Sequence, residues 1–180
     1  SRSSAASDVY KRQALTKIKG KEFDALVVPG YYTEAGKIVN QARGLGIDQT
    51  IVGPDGFGDA KFVEQATPAA ATNVYYVSGF TTSGEMSEKA KKFIEAYKAK
   101  YKEEPSMFAA LAYDSVYMAA EAAKGAKTSV DIKDNLAKLK DFDGVTGSIT
   151  IDKDHNPVKT ALMIGLKDGQ VDTVETVKAE

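Results

Sequence analysis

Residues 24–59 read DALVVPGYYTEAGKIVNQARGLGIDQTIVGPDGFGD, and this stretch decides the fold. Ala25 to Val28 is a short continuous apolar run, consistent with a strand buried on both faces. Thr33 is placed to cap a following helix, with Glu34 near its positive end. Ile38, Ala42 and Leu45 form that helix's apolar stripe, Gly44 and Gly46 end it, and Thr50 to Val52 is the next strand. The order is strand, loop, helix, strand, loop. In an open parallel sheet, both loops fall just beyond the carboxyl ends of strands, where such sheets bind ligands. The first loop offers Tyr31 and Tyr32; the second offers Asp55 between Pro54 and Gly56, followed by Phe57. Aromatic rings beside one carboxylate suit a small ligand that is cationic at one end and apolar at the other. That combination points to binding rather than catalysis.

Outward from this segment, Ser1 to Arg12 shows no apolar periodicity and is expected to be a disordered or non-native lead. Gln13 to Lys19 reads as the tail of a helix stopped by Gly20. Ala60 to Ala66 predicts a short helix and Val74 to Val77 a third strand. The pattern then changes to three helices: one carrying Met86, Phe93, Ile94, Tyr97 and Tyr101, a nearly all-apolar one over Met107 to Ala123, and one with Ile132, Leu136 and Leu139. The Met and Tyr positions of the first two are expected to face a core. Val145 to Ile151 alternates as a half-exposed strand, Asp152 to Pro157 is a polar turn, and strands over 161–166 and 171–177 close an antiparallel pair around Asp168-Gly169. A βαβαβ order followed by helices and then strands suits a chain that leaves one α/β lobe near Ser78 to Ser83 and later returns. The expected organisation is a lobe over 13–80, part of a second lobe over 81–155, and return strands over 156–180.

Composition narrows the classes. The 180 residues carry a net charge of -1, with 43% hydrophobic and 27% charged residues. This gives no electrostatic footprint for nucleic acid and no run long enough to insert in a membrane. With no cysteine and His155 as the single histidine, neither a zinc site nor a Cys–His pair is expected, and no metal, cofactor or catalytic residue is assigned. Asp152, Asp154 and Asn156 mimic the opening of a calcium loop, but Pro157 and Met163 stand where it needs Gly and Glu. Asp114 reads as a helix-surface or hinge residue.

VVPGYYTEAGKIVNQARGLG with IVGPDGFGD, then KFIEAYKAKYKEEPSMFAALAYDSVYMAAEA, then GVTGSITIDKDHNPVKTALMIGLKDGQV resemble, in order, the type I periplasmic binding proteins of the leucine/isoleucine/valine-binding branch. The resemblance covers the chain from Gln13 onward. It implies an α/β protein with a Rossmann-like parallel sheet and two lobes, of which the N-terminal half is missing here. It implies capture of a branched-chain or related aliphatic amino acid for an ABC permease, in the periplasm or outside the cell. By that resemblance Tyr31 lines the ligand pocket and Asp55 binds the ligand ammonium, while the groups gripping the carboxylate belong to the absent half. Tyr32 and Phe57 are further candidates. Without the resemblance, Asp55 reads more readily as a turn residue and the tyrosines as packing. Two rivals are a ligand-sensing domain of the same fold in a signalling protein, and a flavodoxin-like or receiver domain; the missing phosphate loop and second acidic cluster argue against the latter.

Overall fold

A computed structural model of the chain describes residues 2–177, and the side chains of residues 8–177. Two compact units emerge. Among the described residues, the first comprises 2–78 and 163–175, the second 79–162 and 176–177. The chain therefore crosses at Ser78–Gly79, again at Leu162–Met163, and a third time at Glu175–Thr176 near the end of the last strand. The second crossing comes later than position 156, because Pro157–Val158 (β6) pairs with the strand before it and stays in the second unit.

The first unit is built on strands β1 (Ala25–Val27), β2 (Thr50–Gly53), β3 (Val74–Ser78), β7 (Ala161–Lys167) and β8 (Gln170–Val177), in the order β1-β2-β3-β7-β8. The first three are parallel, with Leu26 opposite Ile51 and Val52 opposite Tyr75. Asp168 and Gly169 both adopt positive φ, 50° and 74°, which is the tight turn that joins antiparallel strands β7 and β8. An apolar run does not say whether a strand lies inside a sheet or at its edge. Here β1 is an edge strand, and Val27 is 69% exposed instead of buried.

Helix α1 covers Arg2–Ile18, so the segment over 1–12 expected to lack structure is helical from Arg2. Two features support it: the absence of Gly and Pro before Gly20, and docking onto the neighbouring helix. Leu15 is buried, and Asp8 lies 3.7 Å from Lys37 on α2 (Tyr32–Gly44). Ser1 falls outside the described residues.

Helix α2 buries Ala35, Gly36, Val39 and Ala42, a stripe rotated from the Ile38–Ala42–Leu45 expected. The reason is its start. The first helical residue is Tyr32 and the cap is Tyr31, which makes no side-chain capping bond; Thr33 already lies inside the first turn. Against this stripe packs α3 (Ala60–Ala66), capped by Asp59, whose carboxylate accepts from the Lys61 N–H at 2.9 Å. At the opposite end of the strands the half-buried Arg43 guanidinium donates to four carbonyls, those of Ile47, Gln49, Thr72 and Asn73, at 2.6 to 3.3 Å. Burial lowers its pKa, and Asp48 opposes that shift. One side chain thus fixes the starts of β2 and β3 together.

The second unit gathers helices α4 (Glu88–Tyr101), α5 (Met107–Ala123) and α6 (Ser129–Leu136) with a small sheet of β4 (Phe142–Gly144), β5 (Gly147–Ile151) and β6. Its core is Phe80, Ala90, Phe93, Ile94, Met107 and Ala110, together with Val145. Phe80 meets Phe93 edge-on at 5.9 Å. Tyr101 and Tyr117 are exposed rather than core-facing. Each ring packs at a tilt against one a turn back along its own helix, Tyr97 and Tyr113 respectively, at 4.6 Å, the surface pairing that i,i+4 spacing allows.

Gly36 tests the α2–α3 packing. A Cβ there would stand 2.5 Å from the Phe62 carbonyl oxygen and 2.7 Å from Gln65 Cβ. Alanine would gain about 1 kcal/mol in helix propensity and lose about 1–3 kcal/mol to overpacking. Because the obstruction includes backbone, Gly36→Ala is expected to lower stability on balance, by about 1 kcal/mol, seen as a reduced urea midpoint with unchanged slope.

Candidate functional site

The parallel register places the carboxyl ends of β1 and β2 side by side. Val28 N–H donates to the Val52 carbonyl at 2.9 Å, and beyond that bond the two loops leave the sheet together. The first loop, Pro29 to Tyr31, is extended at Tyr31 (φ −102°, ψ 164°) and turns directly into α2, with the Tyr31 carbonyl accepting from Ala35 N–H. The second is a single 3-10 turn, Asp55–Phe57, entered through Pro54 and closed by Gly58 N–H donating to the Asp55 carbonyl at 3.0 Å.

The two loops touch at glycine. A side chain at Gly56 would meet the Gly30 carbonyl at 2.5 Å and both the backbone and the ring of Tyr31 at 3.2 Å. Only hydrogen fits there. This close approach brings the Tyr31 ring against the residue next to Asp55. Tyr31 is 65% exposed and Asp55 is exposed, so a ring and a carboxylate stand at one rim of the first unit. Tyr32 is half-buried at the start of α2, with the Lys61 ammonium 5.9 Å from its ring centre.

Phe57 requires a correction. Its side chain is 1% exposed, stacked on Phe62 at 4.6 Å and tilted against Tyr76 at 6.2 Å. Its ring fills the space that a side chain at Gly53 would need, coming within 2.3 Å of that position. A ring so enclosed presents nothing to a ligand. It is instead the plug that holds the 3-10 turn down, and thereby holds Asp55 at the rim. The signal was present in the sequence as Gly53 and Phe57 four residues apart, but a one-turn helix between them is not a periodic pattern. Burial beside this plug raises the Tyr76 pKa from 10.0 to about 12.

Elsewhere, the Asp152 carboxylate accepts from the N–H groups of Asp154 and Asn156, both at 2.8 Å. It closes its own turn, with His155 at φ 65°. Among the described residues, no cluster of three or more His, Asp or Glu side chains is arranged to hold a metal, and no helix is long and apolar enough to cross a membrane. Asp114, expected at a helix surface or hinge, is 2% exposed and belongs to a polar network in the second unit.

An open α/β sheet whose first three strands are parallel, with an acid and an aromatic ring at one rim, in a chain that passes three times between compact units, has the architecture of a small-solute binding protein. The chain belongs to the periplasmic binding protein family, which it matches over residues 6–170. Among solved structures it is similar to the branched-chain amino acid transporter substrate binding protein LivJ of Streptococcus pneumoniae, in complex with isoleucine, at 65% identity and a TM-score of 0.87. That match covers 93% of this chain and 48% of the pneumococcal one. It is similar also to the leucine binding protein LivK of Thermotoga maritima, at 28% identity and a TM-score of 0.84, covering 92% and 48%. A third relative, the leucine-, isoleucine-, valine-, threonine- and alanine-binding protein of Pseudomonas aeruginosa, is 24% identical over 149 residues, 82% of this chain and 39% of that protein. The chain thus spans about half the length of these solved relatives and less of the curated one.

The contact at Gly56 gives a local test. Gly56→Ala must separate two backbone segments, at a cost of about 1–3 kcal/mol. Expected are shifted Tyr31 ring resonances in NMR spectra, with those of Phe93 in the second unit unmoved; an unmoved Tyr31 would contradict the close approach.

Proposed function

We propose that this chain supplies the ammonium-binding and side-chain-lining part of a solute receptor for a branched-chain or related aliphatic amino acid. The receptor acts outside the cytoplasm, in the periplasm or at the cell surface, and delivers its ligand to an ABC permease. It performs no chemistry on the ligand. The observation that carries this reading is the Gly56–Gly30 approach, which sets the Asp55 carboxylate and the Tyr31 ring at one rim.

A zwitterion loses its hydration at both ends on binding, so each charge needs a partner. Asp55 is the partner for the ammonium. At about 4 Å that attraction is worth about 1 kcal/mol in open water and about 4 kcal/mol at an effective dielectric near 20. An exposed carboxylate therefore binds strongly only once water is excluded around it. Tyr31 offers a flat apolar wall and a ring face for a neighbouring cation; Tyr32 flanks it. Similarity to proteins described as binding isoleucine, leucine and valine supports an aliphatic ligand of that size.

The test is calorimetry with isoleucine, leucine and valine on a protein in which these residues replace the matching half of the pneumococcal relative. The expected result is binding, weakened at least about tenfold by Asp55→Asn and by Tyr31→Ala. Binding unaffected by Asp55→Asn would remove Asp55 from the site. Failure to bind any of the three amino acids would overturn the ligand class.

A further inference from the structure

The chain contains three Asp-Gly steps: Asp55–Gly56, Asp143–Gly144 and Asp168–Gly169. At such a step the backbone nitrogen of the glycine can attack the carboxyl carbon of the aspartate before it. Glycine favours this because it has no side chain to block the approach and lets the backbone turn freely. Whether the attack happens in a folded protein depends on how firmly the structure holds the two reacting groups.

Two of the steps are held at both groups or at the backbone around them. The Asp168 carboxylate accepts from the Thr72 hydroxyl at 3.3 Å, and its own N–H donates to that hydroxyl at 2.8 Å. The Gly169 nitrogen is occupied as well, donating to the Ala71 carbonyl at 3.0 Å. Gly144 is paired with Gly147 across the β4–β5 turn, and a Cβ there would stand 2.5 Å from Asp114 Oδ2. The Asp143 carboxylate lies 3.4 Å from the Lys89 ammonium.

Asp55 differs at each point. Its side chain is exposed, and among the described residues no hydrogen bond or ion pair holds its carboxylate. The turn around it is closed by Phe57 N–H donating to the Pro54 carbonyl at 3.2 Å and by Gly58 N–H donating to the Asp55 carbonyl at 3.0 Å. Neither bond uses the Gly56 nitrogen. The close approach of Gly30 and Tyr31 forbids any side chain at position 56. The fold therefore demands glycine at the position where the chemistry needs it.

We propose that Asp55–Gly56 is a modification site at which the folded chain converts spontaneously to isoaspartate through a cyclic imide. The Gly56 nitrogen forms a bond to Asp55 Cγ. The Cγ–OH bond of the protonated carboxyl breaks, and the hydroxyl leaves as water with the amide proton. Water then adds back at either imide carbonyl. Opening at Cγ restores aspartate; opening at the former main-chain carbonyl leaves the backbone running through Cγ, one carbon longer, with the carboxylate directly on Cα. Water is the only species lost and regained, so no oxidant or cofactor is needed. On the ligand reading above, the conversion withdraws the carboxylate assigned to the ammonium. That consequence rests on that reading; the modification does not.

The test uses the 180-residue chain without ligand, kept folded in neutral buffer for several weeks. Its peptides are then sequenced by electron-transfer fragmentation, which distinguishes isoaspartate from aspartate. Isoaspartate is expected at position 55 about tenfold above positions 143 and 168, the factor set by the additional hydrogen bonds that must break at those steps. Asp55→Glu, an exposed change that would have to close a larger ring, should abolish the product at 55 and leave the other two sites as they were. In urea-unfolded chain the three steps should react alike. No isoaspartate at position 55, or equal amounts at all three steps in the folded chain, would overturn the proposal. So would a preference for position 55 that persists in urea, since local sequence rather than the folded turn would then select the site.

Discussion

The absence of a side chain at Gly56 is the constraint from which the rim at the ends of β1 and β2 follows. Parallel pairing of β1 with β2 aligns the ends of the two strands, but aligned strands can still send their loops apart. Here the second loop lies directly on the first, with the Gly30 carbonyl and Tyr31 occupying the space that any Cβ at Gly56 would take. Phe57 secures that arrangement from below, its ring stacked on Phe62 and filling the gap over Gly53. A large apolar anchor in the core and a bare backbone above it let the residue before them, Asp55, stand exposed yet fixed. Burying a phenylalanine ring removes enough apolar surface to contribute several kcal/mol. That is ample to hold a three-residue turn in one place.

The same division between anchor and exposed group recurs in the second unit. Asp114 is buried and fully engaged; Lys159 is half-buried and poised between a hydroxyl and a backbone carbonyl. In the first unit Arg43 collects four carbonyls at the far ends of β2 and β3, well away from the rim. Arg43 and Asp114, which order distant stretches of backbone, are drawn inward and surrounded by hydrogen-bond partners, whereas the Asp55 carboxylate is left accessible.

Much of this was legible in the residues. The period of the apolar pattern gave the alternation of strands and helices through Ser78, and Asp168-Gly169 gave the closing hairpin, because both signals are local. The placement of Tyr31 and Asp55 at strand ends followed from the topology of parallel sheets. What stayed hidden depended on contacts between distant residues or on context. Phe57 looked like a loop aromatic because its partner Phe62 belongs to the next element. Asp114 looked like a surface or hinge acid because its partners lie about thirty residues away, in a turn with no charged residue to betray it. The edge position of β1 was invisible because Ala25 to Val28 is as apolar as a central strand. In α1, weak periodicity concealed a helix whose docking rests on one buried leucine and an ion pair.

The central claim is spatial: one carboxylate at the ends of β1 and β2 meets the positive end of an amino acid whose side chain lies against the neighbouring ring. A crystal structure of these residues joined to the remaining half of the pneumococcal relative, grown with isoleucine, measures it most directly. The account predicts the ligand nitrogen within hydrogen-bond distance of the Asp55 carboxylate, with the Tyr31 ring packed against the ligand. A ligand nitrogen held by other groups, with Asp55 facing solvent, would contradict it.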